Sequence, residues 1–331
     1  MSIRKILLSV AAGAVGLGTM LWARDKKDPP SPAPAPAAWL RASRLAEKQD
    51  HALGLVADGD FVYFVTGGFE KAANAVKRVP AHGGAVETLA SGDFVVSGYL
   101  ATDEAFVYFT SEWPGTVMRV AKTGGQVTTL LSAQPRPTFV ALDDQFVYFA
   151  TYAKEAPGGT IARVSKQGGA AETVASAQPY ISGLLLDERD FYWVSTTGLW
   201  KQPKAGGAAT RLSPDKQHLT RLVSDGRDLF FFVRSTDFDQ DFAVGRMAKA
   251  GGEIVKLTPP AEWNLYLGLS DSHVYFFQHG SGRGEYVLQR VAKAGGAPET
   301  VDVGSIPSGH LAVSGGNVYF TDIDTVYRAP K

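Results

Sequence analysis

Six pairs of adjacent glycines keep a regular beat in this chain, Gly83-Gly84, Gly124-Gly125, Gly168-Gly169, Gly206-Gly207, Gly251-Gly252 and Gly295-Gly296, with spacings of 38 to 45 residues. An aromatic pair keeps the same beat seven times: Tyr63-Phe64, Tyr108-Phe109, Tyr148-Phe149, Tyr192-Trp193, Phe230-Phe231, Tyr275-Phe276 and Tyr319-Phe320. A period in this range, built from short apolar runs, marks the blades of a propeller. Residues 97–132 show one unit. Ser97 to Asp103 reads as a strand A, Phe106 to Thr110 as B, Val117 to Ala121 as C and Gln126 to Leu131 as D, with Lys122-Thr123-Gly124-Gly125 as the turn between C and D. Apolar runs bounded by Gly, Asp and Pro suit strands buried on both faces. Paired glycines suit the turn, because they reach positive φ without strain.

The expected fold is all-β: a seven-bladed β-propeller with four-stranded blades. Strand B occurs seven times, but the turn and strand D that follow it occur six times, and the seventh unit stops at Val326-Tyr327-Arg328. The missing strand is expected from the N-terminal side, residues 41–47 pairing beside 326–328. Such closure removes the open sheet edges that invite aggregation.

Residues 1–38 are different material. Arg4 and Lys5 precede an apolar run from Ile6 to Ala23, and a Pro/Ala tract follows from Pro29 to Ala38. A basic start, an apolar stretch and a polar exit read as an export signal. The run is at the edge of the length that spans a bilayer, and bulky Leu21-Trp22 stands where a small-residue cleavage site would be. The expected organisation is a signal peptide or signal-anchor over 1–28, a linker over 29–38 and the propeller over 39–331. That places the chain in the periplasm or outside the cell, with residues 6–23 as a membrane tether if the signal is not cleaved.

The 331 residues carry 33 basic and 33 acidic side chains, so no basic excess speaks for nucleic acid as a partner. Cysteine is absent, which removes disulfides, thiolate metal sites and cysteine nucleophiles. Gly-x-Ser-x-Gly, His-Glu-x-x-His and the phosphate-binding Gly-x-x-x-x-Gly-Lys are also absent. The loop Asp237-Phe238-Asp239-Gln240-Asp241 has acidic spacing, but Phe242 and Ala248 stand where a calcium loop needs Gly and Glu.

The repeating unit Leu-Ala-x-Asp-x-x-x-Val-Tyr-Phe-Thr, followed by Val-x-Arg-Val-x-Lys-x-Gly-Gly, resembles the YWTD-type, LDL-receptor-like class of extracellular propellers; Val318-Tyr319-Phe320-Thr321-Asp322 matches best. It is also similar to exported bacterial propellers carrying a Gly-Gly repeat. The resemblance covers residues 41–331 and implies a propeller with the interaction habit of that fold. Receptor propellers of the class have six blades and this chain counts seven, so their partners are not carried over.

Charges that recur in every unit read as scaffold, since one active site cannot need the same residue in each blade. Asp58, Asp103, Asp143, Asp187, Asp225 and Asp271 end strand A, with Ser314 in the seventh unit; Arg78, Arg119, Arg163, Lys201, Arg246, Arg290 and Arg328 share one position in strand C. Blade-specific residues are the candidates for function. Seven positions before the strand-A Asp lie His51, Val96, Arg136, Tyr180, His218, Asn264 and Pro307; four positions before it lie Gly54, Tyr99, Phe139, Gly183, Arg221, Leu267 and His310. In a propeller these connections share one face with the B–C loops around the channel mouth.

The expected ligand-binding set is therefore His51, Tyr99, Arg136, Tyr180, His218, Arg221, Asn264 and His310, with Trp113 and Trp263 on the loops. This polar and aromatic mixture suits a neutral or mildly anionic ligand held by hydrogen bonds and stacking. The favoured function is a non-catalytic extracytoplasmic binding or scaffold module, monomeric, taking a protein, peptide or glycan, with no catalytic residue, cofactor or metal assigned. The alternative is a metal-assisted lyase or lactonase at the same mouth, for which His51, His218 and His310 would be the imidazole ligands.

Overall fold

The structure is a computed structural model, and it describes residues 42–67, 74–152, 158–178, 180–214, 217–234, 241–262, 264–280, 286–306 and 310–331. The expected signal and linker, residues 1–38, lie outside the described residues, as do Trp263 and 237–240 of the acidic loop.

The described chain is all-β, and its strands form seven antiparallel sheets in sequence order. Blade one is Ala52–Asp58, Phe61–Thr66, Ala75–Pro80 and Glu87–Ser91, each strand paired to the next. Blades two to six repeat that order, and the short strand Ala261–Glu262 adds a further pairing to the third strand of blade five. Blade seven comprises Leu311–Ser314, Asn317–Thr321 and Val326–Pro330, and its fourth strand is Ser43–Ala46 from the N-terminal side. Ser43 pairs with Arg328, Arg44 with Tyr327 and Ala46 with Val326. The first strands of successive blades pack side by side around the axis, and that of blade seven packs against that of blade one.

The unbroken apolar run of strand B follows from this ring. Successive side chains of a strand point to opposite faces, and here each face meets another blade. Val62 and Phe64 join Tyr319 and Val326 in the core between blades seven and one, while Tyr63 and Val65 join Val107 and Phe109 between blades one and two. The described residues hold seven such clusters, one for each junction. The turns are built as the glycine pairs require: Gly124 and Gly125 have φ of 81° and 126°, and Gly125 N–H donates to Leu89 O of the preceding blade.

The recurring charges form a second, polar layer between blades. Asp103 Oδ1 accepts the N–H groups of Ala105 and Phe106, closing the A–B turn, while Oδ2 accepts Tyr108 Oη and Lys166 Nζ (2.9 Å) from the Gly-Gly turn of the next blade. The same cross-blade pair occurs between Asp58 and Lys122, Asp143 and Lys204, Asp187 and Lys249, and Asp225 and Lys293. The lysine ammonium also lies over the preceding blade's aromatic; Lys166 Nζ stands 5.5 Å from the Tyr108 ring centroid. Among the described residues the pair is missing on both sides of blade seven. At the junction of blades seven and one, Ser314 holds the Asp position and Ala81 the Lys position, so no charge is left alone there. In blade six the turn N–H of His273 goes to Ser270 Oγ, one residue before the expected Asp271.

The strand-C arginines pack as the repeat suggests. Arg78 sits over the Phe61 ring (4.3 Å), pairs across the ladder with Glu87 (2.7 Å) and donates to Lys122 O of the next blade. Arg163 and Arg290 pair with Glu172 and Glu299 in the same register.

Candidate functional site

The inner strands carry the departure from regularity that builds the site. Strands A of blades one to six slip register, at Leu53/Leu55, Val96/Leu100, Thr138/Val140, Ile181/Gly183, Thr220/Val223 and Leu265/Leu267. At four of these slips Gly54, Phe139, Arg221 and Tyr266 have φ of 54°, 45°, 57° and 49°. A bulge releases a residue from the ladder and re-aims its side chain, here toward the ring axis. For a bulky residue, that left-handed conformation costs on the order of 1–3 kcal/mol and persists only where the surroundings hold it.

The re-aimed side chains meet across the channel. Tyr99 and Phe139 have ring centroids 4.1 Å apart. Arg221 Nη1 donates to Tyr99 Oη (2.5 Å), and its guanidinium lies over the Tyr266 ring, 4.6 Å from the centroid. The Tyr266 ring packs against His310 at 4.4 Å, with Oη 3.2 Å from Nε2. A cavity of about 180 Å³ lies among them, walled by Leu55, Leu100, Val140, Leu184, Val223 and Leu311.

Charge in this cavity is one-sided. Burial pushes the Tyr99 and Tyr266 hydroxyls above their ordinary value, although Arg221 acts the other way, so both stay protonated at neutral pH. Burial, and then the repulsion of Arg221, push His310 down to about 3. The imidazole is therefore neutral and shares a hydrogen bond with Tyr266 Oη through Nε2. Among the described residues no carboxylate pairs with Arg221.

A second cavity, about 200 Å³, shares Gly98 and His310 with the first and runs outward past Leu53, Thr66, Asn74 and Val96 to Glu112. At its edge Arg136 pairs with Glu112 (2.8 Å) and lies 5.2 Å from the Tyr152 ring, and Tyr152 meets Tyr180 edge-on at 6.0 Å. Trp113, beside Glu112, is 62% exposed and Tyr180 is 60% exposed. The close approach of the inner strands is visible at Gly54, where a Cβ would stand 2.4 Å from Gly98 O.

Of the residues expected at the mouth, Tyr99, Arg221 and His310 line the channel cavity, and Arg136, Tyr180 and Trp113 lie on the rim that continues from it. His51 is exposed, with Nδ1 3.3 Å from Asp50. His218 is half-buried at the start of strand A in blade five, and its carbonyl accepts Arg234 N–H. Asn264 is buried and donates to Phe242 O (2.6 Å), fastening a loop. Among the described residues no three His, Asp or Glu side chains are placed to hold a metal ion, so His51, His218 and His310 do not assemble one. Tyr266 is absent from the expected set because the count there starts from Asp271; Ser270 holds the turn position in blade six, and four residues before it stands Tyr266. Glu112 was visible only as the neighbour of Trp113.

No protein-family profile matches the chain, and no curated protein matches it. Solved structures do. A puromycin hydrolase is similar over 89% of this chain and 55% of its own, with 14% identity and a TM-score of 0.63. Apo AztD from Citrobacter koseri matches over 82% of this chain and 80% of its own (12% identity, TM-score 0.53), and a nidogen/laminin complex over 61% and 77% (18% identity, TM-score 0.50). The chain thus spans about half the length of the puromycin hydrolase. At these identities the likeness shows the β-propeller fold alone.

Proposed function

We propose that the chain is a non-catalytic binding module working outside the cytoplasm, exported or tethered by its N-terminal segment, and that it takes an extended peptide or glycan on the rim of its channel face. The observation that carries this reading is the run of exposed aromatic side chains on adjacent blades, Trp113, Tyr152 and Tyr180, bridged by the Arg136–Glu112 pair. Flat rings with polar neighbours present large contact area at low entropic cost, and they stack on sugar faces and apolar side chains alike. The rim is continuous with the outer cavity, so a ligand lying across it has a recess in which to anchor one group. A metal-assisted lyase or lactonase lacks comparable support, because the histidines it would need stand apart.

The test is a screen of purified protein against immobilised peptides and glycans, repeated with Trp113, Tyr152 and Tyr180 all changed to Ala. The reading expects a hit for the wild type that the triple variant loses at an unchanged melting temperature. A hit retained by the folded triple variant moves the site elsewhere.

A further inference from the structure

We infer that the channel cavity is a binding site for a small monocarboxylate carrying a single planar ring, with Arg221 as its counter-ion. This concerns a different ligand from that of the rim and does not rest on the rim reading.

The repeat shows what the fold does with a cation at a blade junction: five times the lysine of the Gly-Gly turn is given an aspartate of the neighbouring blade. Arg221 departs from that rule. It is drawn out of its ladder by a bulge, held at a φ of 57° and aimed into a cavity where its neighbours are neutral rings: Tyr99, Tyr266 and His310. Among the described residues this half-buried cation has no carboxylate partner, and a ligand carboxylate would supply one. A guanidinium is the group whose fork matches a carboxylate; with Arg221 bonded to Tyr99 and Tyr266, its five N–H donors still leave some for a ligand. The Tyr99 hydroxyl accepts from Arg221, which leaves its own proton free for a ligand oxygen.

Size and charge narrow the ligand. A cavity of about 150 Å³ lined by aliphatic side chains holds benzene, so about 180 Å³ holds one ring and its carboxylate. Phe139, Leu184, Leu222 and Val223 offer that ring apolar contact. One unpaired positive charge matches one negative charge; a dianion would leave half its charge buried and unmatched.

Benzoate is the direct probe, titrated into the full chain by calorimetry, with benzamide as its uncharged counterpart and inorganic phosphate as an oxyanion without a ring. The inference expects saturable benzoate binding, weakened about tenfold or more in benzamide and in Arg221→Gln, the loss of a charged hydrogen bond. Arg221→Lys should fall between. Benzamide equal to benzoate, phosphate tighter than benzoate, or a folded Arg221→Gln protein with native affinity would each overturn it. In the wild type, benzoate should also shift the His310 imidazole resonances, assigned with His310→Asn. No shift at saturating benzoate overturns the inference whether or not the Arg221 variants fold.

Discussion

Arg221 of blade five donates a hydrogen bond to the hydroxyl of Tyr99 in blade two, linking residues 122 positions apart across the channel. Neither residue belongs to the repeat, and both leave regular strand geometry to meet. Tyr99 stacks on Phe139 and Arg221 on Tyr266, which in turn contacts His310, so blades two, three, five, six and seven share one polar and aromatic cluster.

His310 makes this cluster sensitive to acid. Its folded value is lowered to about 3, against 6.5 for a free histidine. Below 6.5 the unfolded chain binds a proton that the folded chain refuses, so stability should fall with pH from there toward 3, with a limiting slope of about 1.4 kcal/mol per unit. Urea titrations between pH 7 and 4.5, above the range where carboxylates dominate, should show this slope in the wild type. In His310→Gln the slope should shrink; an unchanged slope would show that His310 is already protonated in the fold.

The cross-blade pairs act lower on the scale. Burial raises the Asp103 carboxyl, but hydrogen bonds from Lys166, Tyr108 and the backbone of Phe106 and Ala105 outweigh it and hold it at about 2; Asp187 reaches the same value through Lys249 and its own turn. Their contribution is present above 3.8 and lost as pH falls from there to 2. Lys166 is 13% exposed and Asp103 is 24% exposed. Lys166→Met should therefore cost about 1–3 kcal/mol at pH 7, by leaving the carboxylate short of a partner. That cost should shrink toward pH 3, where the wild type loses the same contribution, as denaturant melts at pH 7 and 3 would report.

Ring closure by the N-terminal strand is tested by truncation. Leu45 and Ala46 are buried in the core between blades seven and one. Deleting residues 1–48 should lower the melting temperature strongly, and deleting 1–38 should leave it nearly unchanged. Equal melting temperatures would refute the pairing of Ser43–Ala46 with Val326–Pro330.

Two glycines separate backbone strain from contact. Gly59 has a φ of 60° with open space where a Cβ would point, so Gly59→Ala should cost about 1 kcal/mol. Gly54 has a φ of 54° and faces Gly98 O, so Gly54→Ala should cost about 2–4 kcal/mol, since strain and overpacking add. Similar losses for the two would mean that the inner strands give way easily.

Most of the ring was legible in the sequence because it is periodic: the Tyr-Phe pairs, the glycine pairs and the six copies of strand D specify seven blades and their closure. The row four residues before the strand-A Asp also pointed at the channel, and Tyr99, Arg221 and His310 are there. The rest depended on geometry that a period does not carry. Tyr266 was missed because Ser270, not Asp271, holds the turn position in blade six, so the count of four lands one residue late. The lysine partners of five strand-A Asp residues were missed because they lie far along the chain, Lys166 63 residues from Asp103, in turns read only for their glycines. Asn264, counted from Asp271 in the same way, is buried and donates its amide N–H to Phe242 O.

Blade seven is flanked by the two junctions that lack an Asp–Lys pair, and its last strand comes from the other end of the chain. Six blades form a spring with five ionic rivets, and the seventh is the clasp. Amide exchange should therefore be fastest, among sheet residues, in Asn317–Thr321 and Val326–Pro330 and slowest around blades three and four. Cutting the chain between blades three and four while joining its termini would move the clasp to a riveted junction, so the permuted ring should open at the new ends last.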